Sequence, residues 1–325
     1  MRNKIIDWLT LIRLPNLFTV PGDIFIGYFL TLPSPKNHYG LSFFLLLFVS
    51  LALYTSGIIL NDWFDLDRDK VERSNRPLVS GQVAPFSALL VIICLVISAL
   101  IIAAFVGKSP LYYCTVKTCF LSKFFLLLTG AAAPFGCGPA ALYIAALLAL
   151  LIYFYNSSAR RIPAVGFLVM GLCRGINIIL GASLNLTAMS SVLWSVVAAE
   201  TCYVIAVTMS AFQEHKRAPD KLVRRLPFII IFLGFIYPVY LSSMTWISFL
   251  GVSVAVGNVL YISITMKENL QPYQVQKKIG DYVRCLIPIQ AAFLLLYHPG
   301  SIGYVIILYL LWFFSRLTGG KISGS

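Results

Sequence analysis

Negative charge is scarce in this sequence: Asp and Glu number 12 in 325 residues, against 25 Lys and Arg. Charged residues of both signs make up 11% of the chain. Soluble domains carry about 25%, so a water-soluble globular domain is excluded. The seven cysteines are scattered, with no CxxC pair. Most lie inside apolar runs, which excludes a disulfide framework or a cysteine metal centre and leaves small buried hydrophobes. His38, His215 and His298 are isolated, and none is assigned a metal. No P-loop, GxSxG, HExxH or dinucleotide-binding fingerprint stands out. The N-terminus, MRNKIIDWLTLIRLPN, lacks the apolar core and cleavage site of a secretory signal. Segments of roughly ten residues with alternating polarity, the mark of a membrane β-barrel, are missing too.

What remains is mostly hydrocarbon. The chain is 59% hydrophobic with a mean hydropathy of +0.86, and apolar stretches long enough to cross a bilayer recur along its length. The fold class that follows is an all-α polytopic membrane protein, a single membrane-embedded domain over 1–325. Spans are predicted at roughly 16–33, 41–60, 84–106, 139–156, 163–186, 190–211, 227–244, 246–266, 282–297 and 300–315. Residues 1–15 are predicted as an interfacial helix, because Ile5, Ile6, Trp8, Leu9 and Ile12 fall at helical spacing with Arg2, Lys4 and Arg13 between them. Residues 316–325 read as a tail.

The stretch 111–136 is apolar but contains Lys117 and Lys123. If it does not cross, 20 of the 25 basic residues fall on one side. That side holds the two termini and the loops near 61–83, 157–162, 212–226 and 267–284. The positive-inside rule puts this side in the cytoplasm. If 111–136 crossed, the asymmetry would collapse, so it reads as a re-entrant or interfacial insertion. The net charge of +13 is then loop charge beside membrane lipid, and no nucleic-acid partner is implied.

Against this background one stretch stands apart. Residues 61–81 read NDWFDLDRDKVERSNRPLVSG, and five acids, Asp62, Asp65, Asp67, Asp69 and Glu72, fall within 61–72. Asn61, Asp65 and Asp69 are spaced i, i+4, i+8, which makes one stripe on a helix, with Asp62 beside it. Asp67 and Glu72 fall off the stripe and are expected to meet water. Like charges at that spacing repel, but they are favourable around a hard divalent cation. Mg²⁺ takes carboxylate oxygens and is usually shared with substrate phosphates. Arg76, just beyond, suits bidentate phosphate contact. The expectation is a Mg²⁺–diphosphate site at a membrane surface, with Asn61, Asp65 and Asp69 on the metal. The alternative is a solvated polar loop.

The pattern Asn61-Asp62-x-x-Asp65-x-x-x-Asp69, followed by Arg76-Pro77-Leu78-Val79-Ser80-Gly81, resembles the first signature of the UbiA superfamily of intramembrane prenyltransferases. LIRLPNLFTVPGDIFIG resembles that family's first helix, with Asn16 in its usual place. YNSSARRIPAVG, 155–166, resembles the loop after the fourth helix, where Tyr155 and the basic Arg160 and Arg161 precede the fifth. The resemblance covers most of the chain, with 111–136 as an insertion. It implies a bundle of about nine to ten helices around a central cavity and a Mg²⁺-bound isoprenyl diphosphate as prenyl donor. It also implies a lipophilic acceptor, aromatic or other, which is alkylated. Asp65, Asp69 and Arg76 would be the catalytic residues, and Asn61, Asp62, Asn16, Tyr155, Arg160 and Arg161 would bind substrate.

The chain departs from the family in its second acidic motif. The region after the sixth helix reads TMSAFQEHKRAPDKLVRR, and Glu214 and Asp220 are six residues apart, too far round a helix for one stripe. Glu214 would occupy one acid position, Ser210 and Ala218 stand at the neighbouring steps, and Lys216 and Arg217 would replace a second metal. Asp23 and Arg174 lie within predicted spans, where a charge is expensive unless it is paired or faces a cavity. Arg174 and Asn177 share a helical face and are candidate substrate-binding residues, with Asp23 as a partner for Arg174. The PGD and CRGIN segments with the degenerate second motif resemble the UbiA-like membrane proteins of ebo-type gene clusters. Those are associated with handling a secondary metabolite, so the second expectation is a non-catalytic carrier or exporter. The CDP-alcohol phosphotransferases, which also carry spaced aspartates, need an Asp-Gly followed by Ala-Arg that 61–81 lacks.

Overall fold

The computed structural model describes residues 4–32, 40–106, 140–212, 220–267 and 269–319. Among them every regular element is a helix. The N-terminal segment forms α1 (Lys4–Leu11), α2 (Leu14–Leu17) and α3 (Pro21–Thr31); then come α4 (Gly40–Phe64), α5 (Leu66–Glu72) and α6 (Pro85–Val106). After the undescribed 107–139 follow α7 (Ala140–Ser157), α8 (Pro163–Ala182) and α9 (Ser191–Phe212). The last group is α10 (Lys221–Leu241), α11 (Trp246–Thr265), α12 (Pro272–Arg284), α13 (Leu286–Tyr297) and α14 (Ile302–Gly319). Nine stretches among the described residues are long and apolar enough to cross a membrane, counting α12 and α13 as one span, and α1 to α3 form a further pair bent by 54°.

Most predicted spans correspond to these helices, with three local differences. The first is broken, not continuous: Pro15 and Pro21 each open a new helix where a missing N–H costs nothing, and residues 18–20 lie between. The tenth predicted stretch continues to Gly319, so the expected tail from 316 begins inside the last turn of α14. α10 starts at Lys221, earlier than hydropathy alone indicates, because Lys221, Arg224 and Arg225 form its polar first turns. The prediction for 111–136 lies outside the described residues.

α3 and α8 pack backbone against backbone. A Cβ on Gly27 would lie 1.9 Å from the Ile178 carbonyl oxygen, and one on Gly181 would lie 2.7 Å from that of Ile24. Small residues permit such an approach between membrane helices, and it brings Asp23 alongside Arg174 and Asn177. Two large apolar clusters fill the bundle, one centred on α3, α4, α6 and α7, the other on α8, α9, α11 and α13. A third and smaller one, Leu11, Ile59, Leu78, Val83, Ala88 and Ile92, lies directly beneath 61–83. It ties the N-terminal helix to the acid-bearing segment: Ile5 and Ile6 of α1 are exposed, while Leu11 is buried in the protein.

Candidate functional site

The acidic segment is built at a helix break. α4 ends at Phe64, Asp65 sits at the junction with φ −88° and ψ 1°, and α5 begins at Leu66. Backbone bonds still run from Asp65 N to Asn61 O (3.1 Å) and from Asp69 N to Asp65 O (2.8 Å), so the break is a kink. Around it the oxygens of the predicted stripe pair with two different arginines, the two groups being joined by Asn61, whose Nδ2 lies 3.4 Å from both Asp62 Oδ1 and Asp65 Oδ2. After α5 the chain turns through 73–84. Ser80 N donates to Arg76 O (2.9 Å), Val83 N donates to Pro77 O (3.0 Å), and Gly81 adopts φ +73°, a conformation that favours glycine. The buried Leu78 and Val83 anchor this turn and fold Arg76 back over the acids.

In the first group, Arg160 Nη1 donates to Asp65 Oδ2 (2.6 Å) and reaches Asn61 Oδ1 (3.4 Å), while Asn61 Nδ2 lies 3.4 Å from Asp65 Oδ2. In the second, Arg76 Nη1 donates to both Asp69 Oδ2 (2.5 Å) and Asp62 Oδ1 (3.0 Å). Arg13 Nη2 donates to the same Asp62 oxygen at 2.8 Å. Asp62, expected only to flank the stripe, is therefore one of its most buried members, at 4% exposure. Three carboxylates face three guanidinium groups. Burial raises the Asp69 carboxyl from its ordinary 3.8, against the opposing pull of Arg76. Asp67 points to water and is lowered by its bond to Lys70.

Among the described residues no three Asp, Glu, His or Cys side chains converge as a metal cage. What converges is pairs of oxygens on one positive centre: Asn61 and Asp65 on Arg160, and Asp62 and Asp69 on Arg76. Hard oxygen donors in pairs suit Mg²⁺, which commonly takes one or two carboxylates and completes its shell with water and phosphate.

The other predicted residues are distributed as follows. Tyr155 is half-buried near the end of α7, and Arg161 is exposed beside Arg160. Asn16 lies on α2, where its backbone carbonyl accepts from Thr19 Oγ1 (2.8 Å). Glu214 and Lys216 lie outside the described residues. Ser210, expected to stand at a step neighbouring Glu214, is fully buried and donates to Ala206 O and Val223 O, so it clamps α9 to α10.

Arg174 and Asn177 are not brought to the motif. They join a separate buried cluster. Arg174 Nε lies 2.9 Å from Asp23 Oδ1 and 3.9 Å from Glu200 Oε2. Asn177 Nδ2 donates to Asp23 Oδ2 (2.7 Å), and Asn177 Oδ1 accepts from Ser50 Oγ (2.8 Å). Gln290 Nε2 donates to Asp23 Oδ1 (2.7 Å). Ser50 and Asn61 are eleven residues apart on α4, so they share a face and lie about 16 Å apart along the axis. The cluster is that far below the motif, near mid-membrane.

Sequence reasoning missed Arg13, Glu200 and Gln290. Arg13 looked like one of several interfacial cations, although its place two residues before a proline marked it as the hinge of the first helix. Glu200, a lone acid in SVVAAETCYVIAV, was open to the same argument that singled out Asp23 and Arg174. Gln290 carries no comparable signal.

Residues 23–125 match the UbiA prenyltransferase family. A 103-residue region is 34% identical to digeranylgeranylglyceryl phosphate synthase of Methanocaldococcus jannaschii, covering 30% of this chain and 36% of that protein. The chain therefore spans about a third of the length of this curated relative. The fold is similar over far more of the chain. A UbiA homolog from Aeropyrum pernix K1, in its apo form, aligns with a TM-score of 0.61 at 17% identity, over 86% of this chain and 97% of that one. A UbiA homolog from Archaeoglobus fulgidus, bound to DMAPP and Mg2+, aligns with a TM-score of 0.55 at 14% identity, over 88% and 98%.

Proposed function

We propose that this chain is a member of the UbiA superfamily and an intramembrane prenyltransferase, a reading supported by the family match over residues 23–125, the related synthase and the shared fold. It moves an isoprenyl group from a Mg²⁺-bound prenyl diphosphate to a lipophilic acceptor, aromatic or other. One observation carries the proposal: two pairs of oxygens, Asn61 with Asp65 and Asp62 with Asp69, each aim at a single guanidinium nitrogen on one face of the bundle. Asn61, Asp65 and Asp69 would hold the metal, whose bound charge offsets the negative charge that develops on the leaving diphosphate. Arg13, Arg76 and Arg160, freed from the carboxylates, turn to the phosphate oxygens, where paired N–H groups match their geometry. The α4–α5 kink aims the diphosphate, and the apolar helices below keep water from the electron-poor prenyl carbon. Asn16, Tyr155 and Arg161 border the same face and would contact substrate. Glu214 and Lys216 would serve its second side. The concentration of basic residues in the loops of this face supports a cytoplasmic orientation.

The missing second acid set favours a different reading, a carrier that keeps the cavity without the chemistry. Purified protein given Mg²⁺, prenyl diphosphates of several lengths and a panel of phenolic and alcohol acceptors separates the two. Acceptor-dependent pyrophosphate release that falls at least ~100-fold in Asp65→Asn supports the enzyme. No release from wild type, with substrate export unchanged in Asp65→Asn membranes, supports the carrier.

A further inference from the structure

The cluster around Asp23 is unused by the proposed chemistry. A base about 16 Å below the diphosphate cannot reach the reacting prenyl carbon, which is bonded to that diphosphate. Its composition is nevertheless unusual. Asp23 and Glu200 are both fully buried and share a single guanidinium, Arg174. Among the described residues, the other groups facing them from each packed element are uncharged: Thr19 in the α2–α3 break, Ser50 and Tyr54 on α4, Asn177 on α8, Tyr203 on α9 and Gln290 on α13. Arg13, the next cation towards the motif, is committed to Asp62. Two ionised carboxylates would therefore leave one uncompensated negative charge in the bilayer interior, the costliest place for it.

Two further observations bear on what balances that charge. Glu200 Oε1 and Gln290 Oε1, both on residues with zero exposure, have no hydrogen-bond partner among the described residues. Gln290 Nε2 reaches both Asp23 Oδ1 (2.7 Å) and Glu200 Oε2 (3.4 Å), and Arg174 Nε lies near both carboxyls, so the two crowd the same donors. Ionised carboxylates are acceptors only, and one hydrogen on the pair relieves the crowding. Asp23, Arg174, Asn177, Glu200 and Gln290 expose no more than 7% of their surface. A Cβ on Gly22 would lie 1.9 Å from Gln290 Oε1, so α3 sits tightly against that side chain. The ligand that fits is the smallest one.

We propose that Asp23 and Glu200 form an intramembrane proton-binding site that holds one exchangeable proton between two carboxyls. Bound there, the proton neutralises the cluster and secures the broken first helix, because Arg174 and Gln290 reach both Asp23 and the Thr19 carbonyl at the break. The site belongs to the fold and is present whether or not the chain transfers prenyl groups.

Infrared spectroscopy of the full chain in lipid nanodiscs tests it directly. Wild type at neutral pH should show the C=O band of a protonated carboxyl that shifts slowly in D₂O. Glu200→Gln should lose one carboxyl equivalent of that band. Asp23→Asn should lose the same, because Arg174 then balances the remaining carboxylate. Arg174→Gln should gain one equivalent. A second measurement guards against variants that fold poorly. The folded state holds a proton that the unfolded chain has released at neutral pH, so stability falls as pH rises until the site empties. Wild-type melting temperature should therefore decline with rising pH, with a slope one proton steeper than that of Glu200→Gln. A wild type with no protonated-carboxyl band, or a band unchanged in both Glu200→Gln and Asp23→Asn, overturns the proposal, as does a wild-type melting temperature independent of pH.

Discussion

Replacing Arg76 with Gln should expose the repulsion that this residue suppresses. Asp62 Oδ1 lies 3.0 Å and Asp69 Oδ2 lies 2.5 Å from the same Arg76 nitrogen, so the two oxygens are no more than about 5.5 Å apart. At an effective dielectric of about 20, two unit charges at that distance repel by about 3 kcal/mol. The three side chains expose 12%, 5% and 6% of their surface, so solvent screens little of this. Arg13 still neutralises part of Asp62, which brings the expected loss of stability to about 2–3 kcal/mol. Thermal unfolding of detergent-purified protein would measure it. In the Arg76→Gln background, Asp69→Asn removes one of the two charges and should restore most of the loss, giving a coupling energy of about 2 kcal/mol between the sites. Mg²⁺ should also restore stability to Arg76→Gln more than Na⁺ does at equal ionic strength, since the vacated point lies between two hard oxygens. If Arg76→Gln melts like wild type, or Asp69→Asn fails to rescue it, the oxygens do not share a cation in the way inferred.

Three further outcomes are expected. The Asp69 carboxyl is raised from its ordinary 3.8, so the folded state binds its proton more tightly than the unfolded chain does. This group costs stability above its folded pKa, and the cost fades as pH falls through it. Titrating Mg²⁺–diphosphate binding on the acid side should therefore give a midpoint above that of a free aspartate, absent in Asp69→Asn. Gly27→Ala should destabilise by about 1–3 kcal/mol, because the new methyl meets the α8 backbone, whereas Gly257→Ala, with nothing within 4 Å, should be neutral or slightly stabilising in a melting assay. Gly81→Ala also meets no neighbour but holds φ +73°, so it should cost about 1–2 kcal/mol from backbone strain alone and loosen the turn that carries Arg76.

The spans were legible because a bilayer demands long apolar runs and self-satisfied backbone, and both are local properties. The acid-bearing segment was legible for a related reason: five acids in twelve positions contrast with a chain that has seven elsewhere. Periodicity failed at Asp65. The i, i+4, i+8 rule assumes a straight helix; at the kink Asp69 shares Arg76 with Asp62, while Asp65 pairs with Arg160.

By itself, then, the sequence determined that this chain lives in a membrane and which segment carries the unusual oxygens. These follow from composition and from spacings within a single helix. Only the tertiary structure decided which cation meets which oxygen. Arg13 and Arg160 stand 49 and 95 residues from the carboxylates they bind, and Asp23 meets Gln290 across 267. Such pairings depend on how closely helices pack, here on two glycines that let α3 and α8 touch, and no periodicity within one helix records that distance.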